Sequence, residues 1–327
     1  MALKQSLSKQ LQAAEKDLEK ALRYGDQESV DMAKARISSL EAQSMAAQRC
    51  LAERGTLGEF SSGSVATSAV VRERRKRSAV VVGGQCQLPL VADERRAAPN
   101  CVLRGAVFPA IKKGARALML REPVAMQEGY EVIFSGGQLD QADLDVWLHC
   151  LHLSRDRLGE RVDVGVRAFL DAIGRTDGAA SHSWLRDSLV RLGMAVIQVK
   201  HEGRTVMLPD RMVVYDESEQ VSKSTLSLRV SPTMAHLFGV ASWTALEFDV
   251  RKLLVGKPLA QWLHAYLATH RQPIPIAVDT LRELSGSRAG ELREFRRALK
   301  ESVEKLVEVG FLRSWSINKD DRLHAVR

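Results

Sequence analysis

Near the C-terminus, hydrophobic and charged positions follow the spacing of an amphipathic helix over Glu291–Val309. One face is apolar and consists of Leu292, Phe295, Leu299, Val303 and Leu306. A second stripe beside it is cationic and consists of Arg293, Arg296, Arg297 and Lys300. Such a helix can lie in the major groove of DNA while its apolar face packs on a small core. A solvated surface helix rich in arginine is the alternative.

The elements around this helix favour the DNA interpretation. A short helix is predicted over Val278–Leu284, before the basic helix, and Gly310 ends the basic helix. Two strands, Phe311–Ile317 and Leu323–Arg327, then follow around the polar turn Asn318–Asp321. Helix, turn, basic helix and hairpin is the order of elements in a winged helix.

The middle of the chain repeats this plan without detectable residue identity. An extra strand pair opens the first copy, and Asp140 caps its first helix. Its third helix, Ser181–Leu192, presents His182, Ser183 and Arg186 on the outer face. The other predicted elements are a helix through Leu153, a helix over Val164–Ile173, and the strands Met194–Lys200, Thr205–Tyr215 and Thr225–Val230, with a wing turn at His201–Arg204. We therefore predict an α+β protein with tandem winged-helix domains at 105–240 and 241–327.

The N-terminal third of the chain differs from the rest. Residues 2–53 carry two amphipathic segments separated by Gly25-Asp26, which predicts an α-helical hairpin or coiled-coil arm at 1–54. This arm either mediates oligomerisation and partner docking or is a loosely attached extension. Residues 55–104 are punctuated by glycine and serine and carry the basic run Arg72–Arg77, so we interpret them as a flexible basic linker.

A short apolar island interrupts this linker at Gln87, Leu88, Pro89, Leu90 and Val91. An exposed peptide of this kind can dock in an apolar groove of a partner, with the glutamine fixing its register. A chance sequence or a short strand is the alternative.

Composition narrows the class of function. The chain has 327 residues and a net charge of +8, which favours a polyanionic partner, nucleic acid before an anionic membrane. No segment has the length and apolarity of a membrane span, and the first residues lack the core of a signal peptide. We therefore expect a cytoplasmic protein without membrane contact.

The sequence lacks the arrangements typical of enzymes. It contains no phosphate loop, no dinucleotide fingerprint and no carboxylate spacing for paired metals. His149, Cys150 and His152 are close in sequence, but a metal site would need further ligands that cannot be placed. We expect no catalytic residues, no metal and no cofactor.

From about Asn100 to the C-terminus, the chain resembles the TrfA family of plasmid replication initiators. The resemblance is spread over ordered segments rather than one signature motif. These segments are Val107-Phe108, Tyr130–Phe134, Gln138-Leu139, Asp145–Leu148, Leu226–Val230, Gln261–His264, Thr269–Pro275 and Leu281–Gly286.

This resemblance implies tandem winged helices that bind direct repeats, called iterons, in the double-stranded DNA of a plasmid origin. It also implies opening of an adjacent A·T-rich segment and recruitment of the host sliding clamp, initiator and replicative helicase. For some initiators it implies an inactive homodimer in solution. Gln87–Val91 lies where the family carries a clamp-binding motif, although Val91 replaces an aromatic residue and would fill the clamp pocket less well.

On this hypothesis the third helix of each copy enters a major groove. The second copy would use Arg288, Arg293, Arg296, Arg297 and Lys300, and the first copy His182, Ser183 and Arg186. The wings would add Lys200, Arg204, Lys319 and Arg322. The rival hypotheses are a winged-helix transcriptional regulator dimerised through its N-terminal helices, and a scaffold whose basic faces dock acidic proteins.

Overall fold

The computed structural model describes residues 80–327, apart from 83–84, 113, 203, 208–210, 216–223, 241 and 273. The predicted arm at 1–54 and most of the predicted linker lie outside the described residues. The described part is a mixed α/β fold whose apolar side chains form two hydrophobic cores. No helix within these ranges is long and apolar enough to cross a membrane.

The first core is covered by short antiparallel sheets. The strands, numbered along the chain, are β1 (Val80–Val82), β2 (Gln85–Gln87), β3 (Arg95–Pro99), β4 (Leu118–Val124), β5 (Tyr130–Gly137), β6 (Arg161–Gly165), β7 (Val196–His201), β8 (Arg204–Met207), β9 (Val214–Tyr215), β10 (Thr225–Arg229) and β11 (Trp243–Glu247). The strand orders are β4-β5-β7-β8, β6-β10-β9 and β3-β11, and β1 pairs separately with β2. The helices are α1 (Asn100–Leu103), α2 (Gln141–Leu153), α3 (Val166–Ala172), α4 (Ala179–Met194), a 3₁₀ turn at Pro232–Met234, α5 (Ala235–Val240) and α6 (Phe248–Lys252).

The second core is smaller and lies among three helices and one sheet. Phe295, Leu299, Val303 and Leu306 are fully buried in it, as are Leu263 and Leu281. Its elements are α7 (Pro258–Ala268), β12 (Ile276–Ala277), α8 (Val278–Leu284), α9 (Leu292–Glu308), β13 (Ser314–Ile317) and β14 (Arg322–Val326), with the strand order β12-β14-β13.

Both halves have the predicted order of three helices and a hairpin, but the two hairpins differ in their surroundings. The first hairpin, β7–β8, continues a four-stranded sheet, because β7 also pairs with β5 from Tyr130↔His201 to Ser135↔Val196. The second hairpin, β13–β14, is extended only by the two residues of β12. The first hairpin is therefore part of a sheet rather than a separate wing.

Two predicted elements were right in kind but wrong in their bounds. The predicted helix Val164–Ile173 begins as strand β6, in which Val162 and Val164 alternate with charged residues, and becomes helical only from Val166. The predicted strand Thr205–Tyr215 is divided between β8 and β9, which belong to different sheets. In the first place the chain changes from strand to helix, in the second it passes from one sheet to another, and each pair of elements was predicted as one.

The predicted end of the linker at residue 104 was also wrong. β3 pairs with β11 from Arg95↔Glu247 to Pro99↔Trp243, and Ala97, Ala98 and the apolar residues of α1 are buried. The same pairing brings β11 and Phe248 into the first core, beyond the predicted boundary at 240/241. Small residues can fill a strand that is buried on both faces, so its composition does not distinguish it from a linker.

A buried ion pair joins the two cores. Arg251 of α6 is 1% exposed and donates from Nε to the carboxylate of Asp145 on α2, which is 5% exposed. Gln261 of α7 donates to the other oxygen of Asp145 at 2.9 Å, and its main-chain carbonyl accepts from Arg251 at 2.9 Å. Gln141 accepts from Arg251 through its side chain at 2.9 Å and its main chain at 3.1 Å. Every partner is buried, so these contacts fix α2 against α6 and α7.

We expect Asp145→Ala to lower the free energy of unfolding by about 3–5 kcal/mol, because it leaves the Arg251 guanidinium buried without a counter-charge. The control is Asp279→Ala, which removes an exposed i,i+3 partner of Arg282 and should cost less than about 0.5 kcal/mol. Urea denaturation measures both. Equal costs for the two variants would contradict this role of Asp145.

His264 of α7 is fully buried in the second core, with its ring edge-on to Phe311 at 4.5 Å between centroids. Neither ring nitrogen has a hydrogen-bond partner in the described part. Burial, and after it the positive charges of Arg251 and Arg327, lower the pKa of His264 to about 3. The side chain therefore acts as a neutral, apolar-like group.

We expect His264→Leu to flatten the pH dependence of stability between about pH 6.5 and 3. In this window the unfolded chain binds a proton at His264 that the folded chain does not, so acid destabilises the wild type by about 1.4 kcal/mol per pH unit from this group. Unfolding free energies across the window measure the slope. The control is His236→Leu, at an exposed position, which should keep the slope of the wild type. An unchanged slope in His264→Leu would contradict this role of His264.

Candidate nucleic-acid interface

Helix α9 has one buried and one cationic face. Its four core residues are fully buried, whereas Arg293, Arg297 and Lys300 are exposed on the opposite side. Within the described ranges, no carboxylate forms an ion pair with these three cations. The cations lie in the N-terminal half of the helix, while the C-terminal half exposes Glu301, Glu304 and Glu308. A polyanion is therefore attracted to the first half of α9 and repelled by the second.

The contacts around α9 fix its orientation. It packs on α7 and α8, and Gly310, at a φ of +74°, ends it in a left-handed turn. The amide of Phe311 donates to the carbonyl of Leu306 at 2.9 Å as the chain reverses. Trp315 of β13 donates from its indole to Glu304 at 2.8 Å, which attaches the hairpin to the acidic half of α9.

The fourth cation of the stripe, Arg296, is engaged within the protein. It donates from Nε to Oδ1 of Asp321 at 3.0 Å and from Nη2 to Oδ2 at 2.7 Å. These hydrogen bonds to Arg296 lower the pKa of Asp321, which therefore stays ionised. The helical pattern predicted Arg296 as part of a free cationic stripe and gave no sign of its partner Asp321. An acidic residue in the turn of the hairpin after a basic helix was the available signal.

The other residues predicted for the second copy fall into two groups. Lys319 and Arg322 are exposed at the β13–β14 turn, and Arg322 also donates to the carbonyl of Pro275 at 3.4 Å. Arg288, in contrast, donates to the carbonyl of Ala115 at 3.1 Å and to the side chain of Gln138. Arg288, although exposed, thus ties the loop before α9 to Ala115 and Gln138, and its role in DNA binding stays a prediction.

The outer face of α4 is less cationic than that of α9. Its predicted residues His182 and Arg186 are half-buried and Ser183 is exposed, and His182 pairs with Asp177 at 2.6 Å. Arg186 makes interactions of its own within the protein. Arg175, which sequence reasoning did not select, stacks at 3.5 Å over the Trp184 ring beside this face.

In the first hairpin, the predicted cation Lys200 is engaged within the protein. Lys200 pairs with Glu131 of the neighbouring strand β5 at 3.0 Å, and both side chains are exposed. The sequence pattern could not show this pairing, because it depends on the register between β5 and β7. Arg204 belongs to β8, and its side chain lies outside the described part.

The predicted clamp-binding peptide is not a free linear motif. Leu88 is 4% exposed within the first core, and its amide donates to the carbonyl of Arg155 at 2.9 Å. Val91 packs against the same core, whereas Leu90 is 68% exposed and Pro89 is half-buried. The backbone of Gln87 is in β2, and its side chain lies outside the described part. The prediction of an exposed peptide was wrong for Leu88, because its apolar side chain packs into the first core.

His149 and His152 contact other protein groups, and Cys150 is fully buried. His149 lies 3.4 Å from Nη2 of Arg96 and edge-on to Phe169, and burial lowers its pKa to about 3. His152 contacts Asp93 at 3.2 Å through Nε2. Within the described residues, no group of three His, Cys, Asp or Glu side chains is placed to hold a metal ion.

The geometry therefore defines a class: mixed α/β proteins in which a cationic helix rests on an apolar core and is followed by a β-hairpin. The comparisons then identify the family. The chain belongs to the TrfA protein family, whose model matches residues 66–327. The plasmid replication initiator protein TrfA of Escherichia coli is 24% identical over 245 residues, which are 72% of this chain and 62% of that protein.

Two solved structures of domains 2 and 3 of RctB also match. A selenomethionine derivative has a TM-score of 0.43 and 13% identity, and covers 64% of this chain and 86% of its own. A second crystal structure has a TM-score of 0.41 and 14% identity, and covers 63% and 83%. The chain spans less than two thirds of the length of the curated E. coli relative.

We expect Leu88→Ala to lower the free energy of unfolding by about 2–5 kcal/mol, since it deletes a buried side chain. Leu90→Ala, at an exposed position of the same peptide, should change it by less than about 0.5 kcal/mol. Chemical denaturation of the two variants is the measurement. Similar small effects would show that the peptide is not anchored in the core.

Proposed function

We propose that this protein is a sequence-specific DNA-binding plasmid replication initiator built from two winged helices. One observation carries the proposal: Arg293, Arg297 and Lys300 are exposed on α9, opposite a fully buried apolar face. Membership of the TrfA family supports the same function. The net charge of +8 is of the sign that a DNA-binding protein needs.

The cationic face of α9 suits the major groove of a DNA duplex. The major groove admits one α-helix, and cations along its outer side reach base edges and the flanking phosphates. On α9 the cations occupy about two turns, and the acidic half beyond them would lie away from the backbone. Lys319 and Arg322 on the following hairpin are placed to add phosphate contacts beside the groove.

The two helices would contribute unequally. α9 offers three unpaired cations among the described residues, whereas His182 of α4 is already paired with Asp177. We assign most of the binding energy to α9 and the hairpin that follows it. The smaller contribution of α4 would come from Ser183, Arg186 and His182. A charge-poor helix can still set specificity through a few hydrogen bonds.

The mechanism we propose involves binding without a chemical step. Copies bound to direct repeats would deform the DNA, and deformation at an A·T-rich flank lowers the cost of strand separation. The host sliding clamp, initiator and helicase would be recruited to this complex. A clamp contact through Gln87–Val91 would require Leu88 to leave the first core, so we expect it to be weak in the free protein. The cytoplasm, where a plasmid origin resides, is the place of action.

We expect the triple variant Arg293→Ala, Arg297→Ala, Lys300→Ala to lose binding to its repeats. Each lost phosphate contact should flatten the slope of log K against log salt by about 0.9, and each lost base contact should cost about 1–3 kcal/mol. Fluorescence anisotropy over a salt series measures both quantities.

The matched control removes three positive charges that lie outside α9 and already form ion pairs: Arg157→Ala, Lys252→Ala and Arg282→Ala. Equal losses in the two triple variants would mean that only net charge matters, and α9 would not be the reading surface. Binding of inverted rather than direct repeats would favour the transcriptional regulator dimerised through its N-terminal helices.

A further inference from the structure

The turn that carries Asp321 is rigid. The side chain of Asn318 accepts from the amides of Asp320 at 3.1 Å and Arg322 at 2.9 Å. The carbonyl of Asp321 accepts from the amide of Val278 at the start of α8, at 2.9 Å. Asp321 itself has a φ of +55°, a conformation that aspartate and asparagine tolerate better than most residues. The carboxylate therefore approaches α9 from a fixed position.

The Asp321 carboxylate occupies only one edge of the Arg296 guanidinium. The bonds use Nε at 3.0 Å and Nη2 at 2.7 Å, so the edge formed by Nη1 and the second hydrogen of Nη2 is not used. Within the described residues, no other group bonds to Arg296. Its side chain is 34% exposed, in the same stripe as Arg293, Arg297 and Lys300.

The chemistry of this free edge distinguishes between a base and a phosphate as its ligand. Two parallel N–H donors match the O6 and N7 acceptors that guanine presents in the major groove. A guanidinium held rigidly by a carboxylate loses less rotational freedom when it binds such a pair. The same carboxylate repels a phosphate, so an arginine used for the backbone would bind better without it. The three unpaired cations of the stripe lack such a neighbour and suit phosphates.

We infer that Arg296 reads a guanine through its Nη1–Nη2 edge and that Asp321 is the positioning residue that orients it. This inference rests on the proposed DNA-binding function and adds a specificity-determining pair to it. Asp321 also disfavours a DNA phosphate as the ligand of Arg296, because its negative charge repels the phosphate.

The test is binding-site selection from a randomised DNA library at fixed salt, followed by affinities for single-base variants of the selected site. Arg296→Ala should lose the preference for guanine at one position, a loss of about 5- to 150-fold for the preferred base, and keep the other positions. Asp321→Ala should weaken the preference at that same position and bind random DNA more tightly, because a negative charge is removed. Asp321→Asn, which tolerates the turn, should do the same with the fold retained.

The control is Asp279→Ala, which removes a carboxylate of equal charge from Arg282 on α8 and should leave the base profile unchanged. If Arg296→Ala and Asp321→Ala lower affinity by one factor on every sequence, or leave the profile intact, the pair is a structural tie between α9 and the hairpin and the inference is overturned. If the wild type itself selects no sequence, the proposed function fails, and the inference with it.

Discussion

The buried ion pair between Arg251 and Asp145 is the interaction on which the rest of the described structure depends. Each charge would be costly in an apolar interior, and they are tolerated together because Gln141 and Gln261 complete their hydrogen bonds. An apolar contact could slide, but a paired and fully satisfied charge has one geometry. The pair therefore holds the second core in one orientation against the first, so that helices α4 and α9 face outward with a fixed separation.

The positively charged side chains fall into two groups, those that are bound to carboxylates beside the first core and those that are exposed on α9. Arginines that face the first core, such as Arg116 and Arg191, are bound to the carboxylate of Asp143, which caps α2 with Asp140. The four cations of the α9 stripe instead point away from the core, and among the described residues only Arg296 of these four is tied to a carboxylate. This division explains why net charge alone predicts little: several arginines beside the first core are bound to buried carboxylates, and the candidate surface is concentrated on one half of one helix.

Sequence periodicity predicted the helices around the second core closely but missed some strands and boundaries of the first core, for a physical reason. α8 was predicted with its observed bounds, and α9 within one residue at each end, because a short chain segment builds its own core with a strong helical period. The first core is assembled from distant segments, so β3 was taken for linker, and Leu88 for an exposed residue. The pairings of Arg296 with Asp321 and of Lys200 with Glu131 depend on tertiary register, which no local pattern contains.

The central claim is that two rigidly joined winged helices present α9 to directly repeated DNA sites. Hydroxyl-radical footprinting of the protein on the DNA that flanks its own gene tests this claim most directly. The account predicts evenly spaced protections in one orientation, each with two contacted segments about a helical turn apart on one face and with the same internal spacing throughout. Inverted protections, a variable internal spacing or uniform protection of all sequences would contradict it.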